Sequence, residues 1–322
     1  MASAMRLCEH PDFQDILIAA AALHGVSEQI VEKDYYVTQA LRAVAEDLGE
    51  WGIFKGGTSL SKGWGLIKRF SEDIDLFVNP VRDSGRLSTR GIDRELKRVH
   101  ELVAQVPGLH LEITSRVKVS AKALHDRFSY ETRFHDQRVI STEVLLESGI
   151  FSGEQPTEIR DLSSLAAELL YTRGLAHIAE DTGRFPMRLL HFRRTFVEKL
   201  FAIHARVERM LNGGGGLGTY ARHYYDLYCL ATREEVRRML ESEEFDAIRH
   251  DYHRISSQAF SRDYTPPPSL SFCSSAALFP DLALRHVLAA EYDRQCRLLC
   301  FGEFPSFDEV LGVLEDLRPL LR

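Results

Sequence analysis

The chain reads as an α/β domain followed by a helical domain, and three observations predict it. Runs with apolar residues at alternating positions, such as 73–78 and 110–119, concentrate before residue 150. From Leu162 onward helical spacing prevails, as in the stripe Leu200, Ile203, Val207 and Leu211. Between these regimes lies Ser152-Gly153-Glu154-Gln155-Pro156, a cluster of turn formers. The expected division is therefore 1–156 and 157–322, and two domains suit a chain of 322 residues.

Taken in order, residues 12–24 and 28–48 predict helices, the second with Ile30, Val31, Tyr35, Val37, Leu41, Val44 and Leu48 near helical spacing. Ser27 is placed to cap it. Trp51-Gly52-Ile53-Phe54 predicts a strand that meets the glycine turn Lys55-Gly56-Gly57-Thr58-Ser59, with a helix over 59–69. A strand over 72–78 and a helix over 88–105 come next. Three further strands, 110–119, 128–134 and 138–146, are separated by His125-Asp126 and His135-Asp136-Gln137. Such short connections predict an antiparallel meander. Beyond the boundary, Gly213–Gly216 reads as a loop, and Thr265-Pro266-Pro267-Pro268 interrupts a later helical stretch.

Composition narrows the class. Hydrophobic residues at 44% and charged residues at 27% describe a globular protein. No stretch approaches the length of apolar sequence that crosses a bilayer, and the start has no signal-peptide core, so a cytoplasmic protein with no membrane partner is expected. Five scattered cysteines read as reduced thiols. Cys296 and Cys300 lie one helical turn apart, but no second Cys/His pair completes a zinc site. A net charge of −7 excludes a chain that coats nucleic acid over its whole surface, while leaving room for a local basic groove. No nucleophile elbow and no Cys/His pair points to hydrolysis.

The chemistry concentrates at Asp73 and Asp75. Two apart on a strand, their carboxylates share one face, with Ile74, Leu76 and Val78 on the other. Like charges held so close call for a cation, and hard divalent ions such as Mg²⁺ or Mn²⁺ take oxygen ligands. Acidic pairs also occur on exposed edge strands; the glycine turn upstream sets this pair apart. Gly56-Gly57-Thr58-Ser59 opens a helix, where unpaired backbone N–H groups suit a triphosphate. It lacks Walker spacing.

Glycine turn, helix, then Ser71-Glu72-Asp73-Ile74-Asp75 resembles the nucleotidyltransferase superfamily. More narrowly, Phe54-Lys55-Gly56-Gly57-Thr58-Ser59-Leu60-Ser61-Lys62 with Arg69-Phe70-Ser71-Glu72-Asp73-Ile74-Asp75-Leu76 resembles the AbiEii/AbiGii abortive-infection toxins, including the MenT toxins. Ile30-Val31-Glu32-Lys33-Asp34-Tyr35-Tyr36 is similar to that family's lead-in helix, and Phe196–Ala202 with His223–Leu227 to its later Lys and Asp motifs. The resemblance covers about 28–230.

It implies a nucleotidyltransferase-type mixed sheet with flanking helices plus a C-terminal helical domain. It also implies metal-dependent transfer of a nucleotide from an NTP, to the tRNA 3′ end in the MenT branch, and a separate antitoxin as partner. The residues it marks for the nucleotide are Gly56, Gly57, Thr58, Ser59, Ser71 and Lys199; for the metal, Asp73 and Asp75. Lys199 stands at the edge of an apolar stripe, where a lysine also snorkels. Asp226 is the candidate to orient it, although Arg222 four residues earlier offers a simple helix pair. Glu143 is the candidate third carboxylate, as base toward the acceptor hydroxyl. Lys55, Lys62, Lys68 and Arg69 cluster near the same motif and are candidates to guide an RNA acceptor. Transfer to a protein or small-molecule hydroxyl, or a non-catalytic nucleotide-binding regulator, are the alternatives.

Overall fold

The computed structural model describes residues 5–71, 73–120, 122–134, 141–260 and 264–322. The chain divides into two compact units. The first comprises Met1–Gly63, Ser71–Ile150 and Thr157–Leu189, and the second Trp64–Phe70, Phe151–Pro156 and Leu190–Arg322.

The first unit is a mixed sheet with packed helices. Helices α1 (Phe13–His24) and α2 (Glu28–Leu48) lead into strand β1 (Gly52–Lys55), the one-turn helix α3 (Gly56–Thr58) and a π turn over Ser59–Gly63. Ser27 does stand at the start of α2 with extended backbone, but its hydroxyl makes no capping hydrogen bond. Strands β2 (Asp73–Val78), β3 (Val81–Arg82) and β4 (Gly85–Arg86) come next, then α4 (Thr89–Val103), capped by Ser88. After them run β5 (His110–Leu111), β6 (Val117–Ser120), β7 (Ala123–Ser129), β8 (Glu143–Gly149), β9 (Thr157–Leu162), α5 (Leu165–Thr172) and β10 (Phe185–Leu190). The sheet order is β5-β7-β8-β2-β1-β10-β9, with β6 also paired to β7. β2 is antiparallel to β1 and parallel to β8, and β1 is parallel to β10. Ile74, Leu76, Val144 and Leu146 are buried, while α2 and α4 pack on the sheet.

Several sequence expectations change here. The helix expected over 59–69 stops at Gly63. A Cβ on Gly63 would lie 2.0 Å from Leu189 Cδ2, and Gly65 takes a φ of 63°, so two glycines break the helix. The expected turn at His125-Asp126 is the middle of β7. Asp126 is a turn former by type, yet here its buried carboxylate has fixed partners. The meander itself forms through β6, β7 and β8, with β5 and β6 split by a 3-10 turn over Ile113–Ser115. The strand expected over 128–134 ends at Ser129, and the one over 138–146 shifts to Glu143–Gly149. His135-Asp136-Gln137 lies outside the described residues. Finally, the boundary expected at 156 falls later, because β9 and β10 extend the sheet. Pro186 disguised β10, since proline is rare within strands.

The second unit is helical: α6 (Phe192–Leu211), α7 (Arg222–Ala231), α8 (Glu234–Leu240), α9 (Glu243–Ala259), α10 (Leu282–Leu299) and α11 (Phe307–Leu317). Leu200, Ile203 and Val207 are buried, whereas Leu211 at the end of the expected stripe is exposed. The segment Trp64–Phe70 joins this unit through a bridge between Arg69 and Cys300. All five cysteines are free thiols. No helix is long and apolar enough to cross a membrane, among the described residues.

A buried polar strap holds the first unit's helix to its sheet. His100 on α4 places Nδ1 2.9 Å from Asp126 Oδ2 and Nε2 2.6 Å from Ser148 Oγ, while Arg116 donates two-pronged to Asp126. Serine, histidine and aspartate are in relay order, but all three are buried, so no substrate reaches the hydroxyl. Burial lowers the His100 pKa, and the imidazole serves as a neutral crosslink. Asp126→Ala removes the anion from the buried His100 and the half-buried Arg116, so urea unfolding should show a loss of about 3–5 kcal/mol. A loss under about 1 kcal/mol would mean the strap carries little.

Candidate active site

The glycine turn and the carboxylate strand meet at one point. Gly56 takes a φ of 76°, and a Cβ there would lie 1.9 Å from Asp75 Oδ2. Only glycine allows this backbone and this approach. Lys55 pairs in register with Asp75 across β1 and β2. Asp73 and Asp75 are half-buried, with Ile74 and Leu76 buried between and beyond them, so both acids face one side of β2.

The hydroxyls of the turn are already committed. Thr58 Oγ1 donates to the Asp73 carbonyl at 2.6 Å, and Ser59 Oγ donates to the Gly56 carbonyl at 2.9 Å. Both side chains are buried. They shape the turn and tie it to β2. Gly57 lies in the first helical turn, and Ser71 is half-buried at the approach to β2. Glu72 lies outside the described residues.

A residue that sequence reasoning passed over completes the acidic set. The parallel register pairs Asp75 with Glu147, and the β7–β8 register pairs Glu147 with His125. Lys55, Asp75, Glu147 and His125 therefore form one row across four strands. Burial, followed by the charges of Asp75 and Asp73, pushes the Glu147 pKa up to about 7. A hydrogen bond joins its carboxyl to that of Asp75. His125 Nδ1 lies 3.4 Å from Glu147 Oε1.

Glu143 shares the strand face but lies earlier on β8, opposite Ser129, and pairs with Arg127 at 3.3 Å. The two glutamates stand four positions apart, so alternation gives both the same face. Only the parallel pairing with β2 reveals which one meets Asp75. Among the described residues no group of three or more His, Cys, Asp or Glu is already arranged to hold a metal ion.

In the second unit, Lys199, Asp226, Arg69 and His223 form a buried ionic cluster. Arg69 donates to both Asp226 oxygens, at 2.6 and 2.8 Å, and Lys199 Nζ lies 2.6 Å from Asp226 Oδ2. Asp226 is fully buried and Arg69 only 1% exposed. Burial alone would raise the aspartate; the Arg69 and Lys199 charges outweigh it and hold Asp226 well below the usual carboxylate range. Burial, then the Lys199 charge, pushes His223 down to about 3, so its ring is neutral and Nδ1 faces the ammonium at 3.3 Å. Burial lowers the Lys199 pKa while the Asp226 charge works against it, so two basic side chains share one anion. Asp226 turns to Arg69 and Lys199.

The four cations expected to guide RNA do different things. Arg69 is buried on Asp226, and Lys62 is buried against Asp34. Lys55 belongs to the carboxylate row, while the Lys68 backbone N–H donates to Tyr225 Oη.

The profile described as "Nucleotidyl transferase AbiEii toxin, Type IV TA system" matches residues 39–313. The chain belongs to this family. It is a nucleotidyltransferase toxin of the type IV toxin–antitoxin class. Among solved structures it is similar to MenT4, a nucleotidyltransferase toxin from Mycobacterium tuberculosis H37Rv, at 17% identity and a TM-score of 0.51. That match covers 95% of this chain and 99% of the other, and it shows a shared fold. No curated protein matches.

Gly56→Ala tests the convergence. The new methyl would displace the Asp75 carboxylate, and an ångström-scale misplacement costs roughly a hundredfold in rate. Nucleotide transfer should fall by about that factor while circular dichroism keeps its helical signal. A variant with the original rate would separate the turn from the chemistry.

Proposed function

We propose that this toxin transfers a nucleotide from an NTP to the 3′ end of tRNA, using Mg²⁺ or Mn²⁺ held by Asp73 and Asp75. The observation that carries the reading is the contact of Gly56 with the Asp75 carboxylate, beside Glu147. A phosphate-binding turn and an acidic cluster at one place are what phosphoryl chemistry asks for. The donor set fits the metal. Asp73 and Asp75 offer hard oxygen ligands on one face of β2, where two like charges favour a divalent cation. Bound there, the ion would polarise the α-phosphate and offset charge on the departing pyrophosphate.

The protein's own groups have separable tasks. The leading backbone N–H groups of Gly57, Thr58 and Ser59, with Ser71, receive phosphate oxygens; the Thr58 and Ser59 hydroxyls keep the turn in shape. Glu147 takes the acceptor hydroxyl proton, a role for which an elevated pKa is suited. This replaces Glu143, which its Arg127 partner holds farther along the strand. Lys199 is assigned to balance triphosphate charge, with Asp226 fixing its ammonium. The tRNA acceptor rests on the resemblance to the MenT branch, and a cognate antitoxin follows from the type IV class.

The test is label transfer from each NTP, with and without total tRNA, at several Mg²⁺ and Mn²⁺ concentrations. Metal-dependent labelling of tRNA is expected, abolished by chelation and by Asp73→Ala. Glu147→Gln should lose roughly 100- to 10,000-fold while Glu143→Gln stays near the original rate. Labelling of protein without RNA would move the acceptor to a protein hydroxyl. Full transfer by Asp73→Ala would remove the carboxylate mechanism.

A further inference from the structure

The turn that meets Asp75 is tethered at its other end by an ion pair with little exposure to solvent. Lys62, last but one in the π turn, sends Nζ to within 2.5 Å of Asp34 Oδ1 on α2 and donates to the Ser163 carbonyl at 2.9 Å. The second Asp34 oxygen accepts from the Leu165 backbone N–H at 2.7 Å, beside the Ser164 cap of α5. The Lys62 and Asp34 side chains are only 6% and 16% exposed. One carboxylate therefore joins α2, the exit of the glycine turn and the start of α5.

Its neighbours extend the same grip. Lys33 donates to the Ser141 carbonyl at 2.8 Å, just before β8, and Glu32 accepts from Thr132 Oγ1 at 2.7 Å and from the Arg133 backbone N–H. Both are almost fully buried. Three consecutive charged residues on α2 thus hold the lead into β8, which carries Glu147, and the turn that carries Gly56.

We propose that Asp34 is a positioning residue for the nucleotide site, setting the glycine turn against the carboxylate strand through Lys62. Thr58 ties the front of the turn to β2, and Gly63 packs on Leu189 at its exit. The Asp34–Lys62 pair supplies the directional tie between those points. An aspartate does this better than an amide, because a charge-assisted bond to an ammonium is shorter and stronger. The inference rests on the reading of the turn as the phosphate cradle.

The experiment is steady-state transfer at varied NTP concentration for the full chain, with melts of every variant. Asp34→Asn is nearly isosteric and should raise the KM for NTP about tenfold, with kcat changed less. Lys62→Met should do the same, Lys62→Arg should restore most of the loss, and Asp34→Asn with Lys62→Met should be no worse than either alone. Should Lys62→Met fail to fold, Asp34→Asn and Lys62→Arg carry the comparison. A folded Asp34→Asn with unchanged KM, its only effect a lower melting temperature, overturns the proposal and leaves a purely structural pair. A wild-type protein that turns over no NTP overturns the phosphate-cradle reading itself, and that result is visible before any variant is made.

Discussion

The Asp75 carboxylate occupies the space that a side chain on Gly56 would need. That approach forces a glycine with positive φ at the end of β1, and it fixes how far the turn stands from β2. Thr58 then reaches the Asp73 carbonyl, and the antiparallel β1–β2 register places Lys55 opposite Asp75. On the other side β8 runs parallel to β2 and brings Glu147 alongside. Burial first, and then the charges of Asp75 and Asp73, push the Glu147 pKa up. Fold, turn and acid chemistry are consequences of one contact.

The first unit's sequence was legible wherever function or short-range pattern wrote it. Asp73 and Asp75 stand two apart, and strand periodicity alone puts them on one face. Gly56-Gly57 marked the turn because glycine is the residue for positive φ. What stayed hidden is non-local. Glu147 is chosen over Glu143 by a parallel pairing between strands about seventy residues apart in the chain, and no local pattern encodes that register. Asp126 looked like a turn residue because its compensating partners, His100 and Arg116, come from other elements. β10 escaped notice through Pro186, and with it the later end of the first unit.

Charged residues near a catalytic motif invite assignment to substrate, and the second unit and its linker show the limit of that inference. Arg69 and Lys62 are cations beside the motif in sequence, yet each is paired with an aspartate, buried Asp226 and half-buried Asp34. In the Arg69 cluster two basic side chains share one carboxylate beside a neutral histidine, and burial lowers the pKa of the lysine. Asp226 stays ionised because the attraction of both partners exceeds the penalty of burial. The resemblance to the family's later Lys and Asp motifs marked Lys199 and Asp226; the third member, Arg69, comes from a segment that leaves the sheet unit after two glycines.

The central claim is that Asp73 and Asp75 hold a divalent ion against a triphosphate lying on the Gly56–Ser59 turn. Crystals grown with Mn²⁺ and a non-hydrolysable NTP analogue, measured at the manganese absorption edge, test this directly. The account predicts an anomalous peak about 2.1 Å from oxygens of Asp73 and Asp75, with phosphate oxygens on the turn. A peak away from these carboxylates, or a triphosphate bound elsewhere with the Gly56 turn untouched, would contradict it.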